Sequence, residues 1–143
     1  MQEPAHKFER SFKVTGGDYA TAGEAASKIK KILIQLGINS EIVRKIAIAT
    51  YEAELNIIIH AYEGEIIINI DNTMVEVSAV DRGPGIPDID LAMQEGYSTA
   101  SMQARQMGFG AGMGLPNMKR CSNQFKISSE INIGTTVKMG FLI

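Results

Sequence analysis

The sequence predicts a two-layer α/β (α+β) fold in which helices cover one face of a sheet. Two long segments have helical character, at residues 19–36 and 42–62. Two β-rich runs at 65–70 and 74–80 follow, separated by a three-residue polar turn that is typical of a β-hairpin. In the second run Val75, Val77 and Ala79 alternate with polar residues. One face of the hairpin is therefore apolar, and we expect it to pack against the helices.

The length and composition are those of a globular domain. With 143 residues, 45% hydrophobic and 21% charged, the chain is expected to form a single domain over 1–143. The net charge of −2 and the scattered Lys and Arg residues argue against direct nucleic-acid binding. No segment resembles a signal peptide or a membrane span, and the one cysteine, Cys121, has no partner for an internal disulfide. We therefore predict a cytoplasmic protein with no membrane contact, in which Cys121 is a core thiol.

The N-terminal region predicts a strand and then an amphipathic helix. Residues 6–14 mix apolar and charged residues at near-alternate positions, as a strand with one wet face does. Gly16 and Gly17 break the pattern, and Asp18 is expected to cap a helix over 19–36 that ends at Gly37. The lysines on the polar side of this helix are either a plain solvent face or, together with the first strand, a homodimer surface.

The second helix carries a polar stripe on an otherwise apolar rod. It begins after a cap supplied by Asn39-Ser40-Glu41, with an acid in the first turn, and continues through 42–62. Glu52, Asn56 and His60 fall four residues apart, and each step of four drifts only about 40° around a helix. Polar side chains in such a helix need a partner, because burying them unpaired costs free energy. The partner is either neighbouring backbone or a ligand or metal.

Two glycine-containing segments follow the hairpin. Asp81, Gly83 and Gly85 lie where the second strand ends, in a turn that is either merely tight or lets the backbone approach a ligand. Residues 94–107 are polar and aperiodic, with Ser98, Thr99 and Arg105, as in a lid. Four glycines then alternate along the chain: Gly108, Gly110, Gly112 and Gly114. A loop that exposes backbone N–H groups to an anion needs such glycines, and the helix predicted over 115–121 points its positive end at this loop.

These motifs together resemble those of the Bergerat-fold ATPases, a superfamily that includes gyrase, Hsp90, histidine kinases and the MutL proteins. Four boxes occur in the same order and spacing over about 85 residues, and they contain Glu52, Asn56, Asp81, Gly83, Gly85, Gly110, Gly112, Gly114, Leu115, Gly134 and Thr135. The resemblance implies a mixed, mostly antiparallel sheet covered on one face by helices. The stretch from Glu52 to Tyr62, the Gly96 to Thr99 segment and the run at 112–120 are most similar to bacterial anti-sigma regulatory factors and switch-protein serine kinases.

The resemblance also implies ATP and Mg²⁺ as cofactors and a role for each motif residue. Asn56 would bind Mg²⁺, Glu52 would be the general base, and Asp81 would accept a hydrogen bond from adenine, supported by Thr135 through water. The other residues that would contact the nucleotide are Gly83, Gly85, Ile86, Ser98, Thr99, Gly108, Gly110, Gly112, Met113, Gly114 and Leu115. Whether Arg105 and His60 reach the phosphates is left open.

The activity implied by the resemblance is that of an ATP-dependent protein-serine kinase. Its substrate would be a small antagonist protein of the STAS type, and phosphorylation would switch partner binding. The alternative is an anti-sigma factor that works as a nucleotide-gated binding module, with a sigma factor as partner and little or no catalysis. The presence of Glu52 beside a complete set of nucleotide motifs favours the kinase.

Overall fold

The structure, a computed structural model, describes residues 8–94 and 114–143. Its centre is a five-stranded sheet in the order β1-β2-β3-β5-β4. The strands are β1 (Phe8–Thr15), β2 (Glu63–Ile70), β3 (Met74–Arg82), β4 (Gln124–Glu130) and β5 (Gly134–Leu142). Every neighbouring pair is antiparallel, so the described strands form a purely antiparallel sheet where a mixed one was expected. The predicted fold class is otherwise confirmed.

The helices form a layer organised around one long central helix. They are α1 (Glu24–Gln35), α2 (Ser40–His60), the short α3 (Ile89–Ala92) and α4 (Gly114–Cys121). Both α1 and α4 pack against α2, which also contacts strands of the sheet. The predicted apolar side of β3 is confirmed, because Val75, Val77 and Ala79 are all buried in the core between the two layers, whereas Ser78, expected on the polar side, is also buried. Each large apolar side chain buried there contributes about 1.5–3 kcal/mol.

The start of α1 differs from the prediction. Residues Tyr19–Thr21 form a 3₁₀ turn, the α-helix begins only at Glu24, and the side chain of Asp18 makes no capping hydrogen bond. The cap comes instead from α2: Glu54 accepts from the backbone N–H of Ala25 through Oε2 and of Ala26 through Oε1, both at 3.1 Å. A negative charge at a helix N-terminus is favourable, so this distant carboxylate determines where the helix begins.

The other local predictions in this part of the chain are confirmed. Gly37 follows α1 with a φ of 77°, a left-handed value that suits glycine at a helix end. Asn39 Oδ1 accepts a hydrogen bond from the N–H of Glu41 at 2.9 Å and caps α2. In the hairpin turn, Asp71 Oδ1 accepts from the N–H of Thr73 at 2.8 Å and of Met74 at 2.9 Å. These caps and turns are local, which is why sequence patterns predict them well.

Cys121 ends α4 at the edge of the core. It is half-buried and packs against the buried apolar cluster, as a core thiol would. Burial raises the pKa of its thiol, while Lys45 and Arg120 oppose that shift and Glu52 adds to it. In the described parts of the chain, no helix is both long and apolar enough for a membrane span.

Candidate functional site

The polar stripe of α2 faces the first residue of α4. A Cβ atom built on Gly114 would lie 3.0 Å from Glu52 Oε2 and 3.3 Å from Asn56 Oδ1. Both side chains are half-buried, whereas His60, the last residue of α2, is exposed. We call the place where Glu52, Asn56 and Gly114 meet the α2–α4 junction. It brings a carboxylate and a carboxamide oxygen to the amino end of a helix, a position where anions are favoured.

The environment of Glu52 suits a proton acceptor. Desolvation raises the pKa of its carboxyl above the ordinary value, and a hydrogen bond from the side chain of Asn117 opposes that shift. A general base works best when its pKa is near the working pH, so a raised carboxylate pKa is useful for proton transfer. Burial alone would favour the protonated acid, and the donor on Asn117 stabilises the charged form that a base requires.

Asp81 lies at the other end of the candidate site, near the end of β3. Burial raises the pKa of its carboxyl, and the backbone N–H of Thr135 opposes the shift by donating to Oδ1 at 3.0 Å. Thr135 thus supports Asp81 directly through its backbone, and the support through water that was expected from Thr135 remains a prediction. The Thr135 hydroxyl instead bonds to Ser129 Oγ at 2.9 Å. With Oδ1 engaged, Oδ2 is the oxygen through which Asp81 would accept a hydrogen bond from a ligand.

Packing within the fold explains why the two positions that follow Asp81 in this loop, Gly83 and Gly85, are glycines. A Cβ on Gly83 would lie 3.0 Å from the Cα of Ala61, and a Cβ on Gly85 would lie 2.4 Å from the carbonyl oxygen of Glu130. Gly85 also has a φ of 79°, which other residues rarely adopt. Both glycines thus let this loop pack against the end of α2 and the end of β4. Their contact with a nucleotide base remains a prediction.

The other predicted site residues are divided between the loop, the core and the rest of the chain. The N–H of Ile86 donates to Ser129 Oγ at 2.7 Å, which anchors the loop after Gly85. The side chain of Leu115 is buried in the core, so a nucleotide contact there would use its backbone. The remaining residues lie outside the described ones: Ser98, Thr99, Arg105, Gly108, Gly110, Gly112 and Met113.

Three residues of structural or functional interest were not predicted from the sequence. Asn117 lies one turn after Gly114 on α4, and this spacing places it beside the stripe only once the contact of Gly114 with Glu52 is known from the structure. Glu54 follows Thr50 by four residues on another side of α2, so the two form a second polar pair in an apolar helix. Ser129 has no comparable signal, because its partners at Ile86 and Thr135 come from other segments.

The described residues are of the chemical types that a nucleotide with Mg²⁺ requires. No group of three or more His, Cys, Asp or Glu residues suited to a metal occurs within 8–94 and 114–143. A divalent ion there would need other ligands, and Mg²⁺ in nucleotide sites takes phosphate and water oxygens with only one or two protein ligands. The carboxamide oxygen of Asn56 is a ligand of the required type, and the absence of a side chain at Gly114 leaves the adjacent backbone uncovered.

Comparisons with known proteins identify the family. The family described as histidine kinase-, DNA gyrase B-, and HSP90-like ATPase matches residues 41–142. The serine/threonine-protein kinase RsbT of Bacillus subtilis is 30% identical over 129 residues, which are 87% of this chain and 89% of that protein. The anti-sigma F factor of Caldanaerobacter subterraneus subsp. tengcongensis is 34% identical over 121 residues, 80% of each chain.

A solved structure has the same fold. The crystal structure of the RsbU and RsbW domains of a Mycobacterium tuberculosis protein superposes with a TM-score of 0.57 and 17% identity. The match covers 93% of this chain and 32% of the longer one, so this chain spans about a third of that protein. Fold, family match and relatives agree with the resemblance found in the sequence. The chain therefore belongs to the histidine kinase-, DNA gyrase B- and HSP90-like ATPases, and this membership implies ATP binding.

Proposed function

We propose that this chain is an ATP-dependent protein-serine kinase that phosphorylates a small antagonist protein of the STAS type and thereby switches partner binding. The observation that carries the proposal is the α2–α4 junction, where Glu52 Oε2 and Asn56 Oδ1 both lie beside Gly114. Phosphoryl transfer needs positioning, charge neutralisation and an oriented nucleophile. A base and a metal-binding amide one turn apart on a rigid helix are suited to these tasks.

In this proposal Asp81 and Asn56 hold the two ends of the nucleotide. Asp81 accepts a hydrogen bond from the adenine amino group through Oδ2, while Thr135 holds Oδ1 in place. Asn56 would hold Mg²⁺ through its side-chain oxygen, and the bound ion would supply positive charge to offset that of the phosphates. The residues outside the described ranges, among them Ser98, Thr99 and the glycines from Gly108 to Gly112, keep their proposed role in binding phosphate.

Glu52 acts as the general base. As the serine oxygen attacks the γ-phosphorus, Glu52 takes the hydroxyl proton, and the bond from the γ-phosphorus to the bridging oxygen breaks to release ADP. A half-buried carboxylate with a raised pKa is a stronger proton acceptor than one exposed to water. The similarity to a serine/threonine-protein kinase over 87% of this chain supports this activity.

Phosphotransfer from labelled ATP to a STAS-type partner tests the proposal. We expect Glu52→Gln to slow transfer by about 100-fold or more, because a general base contributes that much, while ATP binding remains. Glu41→Gln is the matched control, since Glu41 lies in the exposed first turn of the same helix. Undiminished transfer by the Glu52 variant would remove the proposed base.

Calorimetric titration tests the nucleotide site separately. Asp81→Asn should weaken ATP binding, because an amide in that position can present an NH₂ group toward the adenine amino group. Asn56→Ala should abolish the enhancement of ATP binding by Mg²⁺. Equal Mg²⁺ dependence in wild type and Asn56→Ala would contradict the assigned ligand.

A second candidate function is a nucleotide-gated module that binds a sigma factor with little catalysis. The similarity to an anti-sigma F factor at 34% identity favours it. Capture of a sigma factor with and without ATP separates the two functions when the Glu52→Gln variant is included. ATP-dependent capture by that variant, together with negligible phosphotransfer by the wild type, would favour the binding module.

A further inference from the structure

We infer that Asn117 is a positioning residue that holds the Glu52 carboxylate at the α2–α4 junction, and that Arg120 holds Asn117 in the orientation this requires. The catalytic consequence of this inference rests on the proposed function of Glu52. The contact itself is a property of the folded chain without nucleotide.

The three side chains come from two packed helices, Glu52 from α2 and the other two from α4. Asn117 lies one turn after Gly114 on α4, which packs along α2. Residues three apart share one face of a helix, so Asn117 lies on the side of α4 that borders Glu52 at Gly114, and a hydrogen bond from Asn117 opposes the rise in the pKa of the Glu52 carboxyl. On its other side, Arg120 Nη2 donates to Asn117 Oδ1 at 2.6 Å. The helix whose first residue borders the carboxylate therefore also supplies the hydrogen bond that orients it.

The chemistry of Arg120 determines which way the Asn117 amide points. A guanidinium group only donates, so the carbonyl oxygen of Asn117 must face Arg120. The NH₂ group is then directed to Glu52, and an ionised carboxylate only accepts. An amide turned the other way would place its oxygen against the carboxylate and its NH₂ group against the guanidinium. Arg120 thus makes Asn117 a dedicated donor to the ionised form of Glu52.

This arrangement restricts a side chain that would otherwise be mobile. Glu52 can rotate about three side-chain bonds, and a base is effective only when its oxygen is within hydrogen-bond reach of the proton it takes. The close approach of Gly114 on one side and the Asn117 donor leave fewer positions for the carboxylate. Loss of the donor should therefore reduce the rate of the chemical step more than it reduces ATP binding.

Steady-state phosphotransfer with Asn117→Asp and Asn117→Leu tests the role in catalysis. Aspartate keeps the shape of asparagine and can still accept from Arg120, but it has no NH₂ group to donate. We expect kcat to fall about tenfold in both variants while the KM for ATP stays within about twofold. Arg120→Met should give a smaller loss, because Asn117 remains but is less restrained. Lys119→Ala, an exposed change on the same helix, is the control and should leave both constants unchanged.

The side-chain amide of Asn117 provides a readout that does not depend on activity. In the nucleotide-free protein, its NH₂ protons should shift upfield in Glu52→Ala and stay unchanged in Glu41→Ala, as measured by proton–nitrogen correlation NMR. If the leucine variant fails to fold, the isosteric aspartate variant and this amide signal still decide the question. An amide signal that does not respond to Glu52→Ala would overturn the inference, as would full kcat in a folded Asn117→Asp protein.

The two proposals can fail separately. A wild-type protein that transfers no phosphate, but whose Asn117 amide responds to Glu52→Ala, would contradict the kinase activity and support the Asn117–Glu52 contact. A wild-type protein that transfers phosphate at the same rate as Asn117→Asp would support the kinase and overturn the positioning role.

Discussion

Glu52 and Glu54 lie two residues apart on α2 and about 200° apart around the helix. Glu54 is 2% exposed, and its two oxygens each accept a backbone hydrogen bond from the start of α1. Glu52 is half-buried, has a raised carboxyl pKa, and receives a hydrogen bond from the side chain of Asn117. One carboxylate is therefore occupied in joining two helices, and the other retains the capacity to accept a proton.

The difference shows how burial and hydrogen bonding decide the role of a carboxylate. A buried charge is tolerated when its partners satisfy it, and it then contributes to the fold. A partly desolvated carboxylate with fewer partners has a shifted pKa, and such groups are found preferentially at functional sites. We therefore expect substitutions at Glu54 to reduce stability and substitutions at Glu52 to reduce activity.

The largest expected change in stability is at Glu54. Glu54→Ala leaves the N–H groups of Ala25 and Ala26 without their acceptor and creates a cavity, so the free energy of unfolding should fall by about 3 kcal/mol. Urea denaturation followed by circular dichroism measures it. Glu52→Ala, the matched substitution two residues away, should cost less than about 1 kcal/mol. Equal losses for the two variants would contradict the division of roles.

Gly114→Ala should reduce activity without reducing stability, whereas Glu54→Ala is expected to reduce stability. The added methyl group would lie 3.0 Å from Glu52 Oε2 and 3.3 Å from Asn56 Oδ1, so these oxygens must move by a few tenths of an ångström. We expect the phosphotransfer rate to fall about tenfold. Stability should stay equal or rise by up to about 1 kcal/mol, because alanine favours a helix more than glycine does. An alanine variant with full activity would show that the Glu52 and Asn56 oxygens can move at the α2–α4 junction without loss of function.

Asn39 provides a local cap to compare with the distant cap at Glu54. Asn39→Ala removes the exposed acceptor at the start of α2, so the free energy of unfolding should fall by about 1 kcal/mol. That is less than the loss expected for Glu54→Ala, since water can satisfy the exposed N–H of Glu41 but not the buried N–H groups of α1. Thermal and urea unfolding of both variants under the same conditions would reveal the difference. A loss at Asn39 as large as that at Glu54 would argue against a special cost of buried caps.

The smallest expected effect is a pH-dependent gain in stability for Glu52→Gln. Because burial raises the carboxyl pKa from its ordinary value of 4.5, the folded protein binds more protons than the unfolded chain between these two pKa values. The contribution of Glu52 to stability is therefore complete below pH 4.5 and is lost as the pH rises through the raised pKa. The glutamine variant should be more stable than wild type at neutral pH, by less than about 1 kcal/mol. Denaturation at a series of pH values should show the difference vanishing in acid, and a gain that persists there would contradict the assigned cause.

Elements with local determinants were predictable from the sequence. The Asn39 cap, the Asp71 turn and the apolar side of β3 depend on residues a few positions apart, and all three are confirmed. The start of α1 was predicted wrongly, because its cap comes from Glu54, about 30 residues along the chain. The same applies to the candidate site: the stripe of Glu52 and Asn56 follows from helical spacing, but its contact with Gly114 depends on how two helices pack.

By itself, the sequence determined the elements, the apolar faces that form the core, and the motif order by which the family is identified. Helical and strand periodicity, caps and turns act over a few residues, so they can be read along the chain. Only the tertiary structure decided that Glu54 caps α1, that Asn117 bonds to Glu52, and that Thr135 reaches Asp81 through its backbone. The reason is physical: the role of a polar group depends on which partners and how much solvent surround it, and packing brings those partners from distant positions.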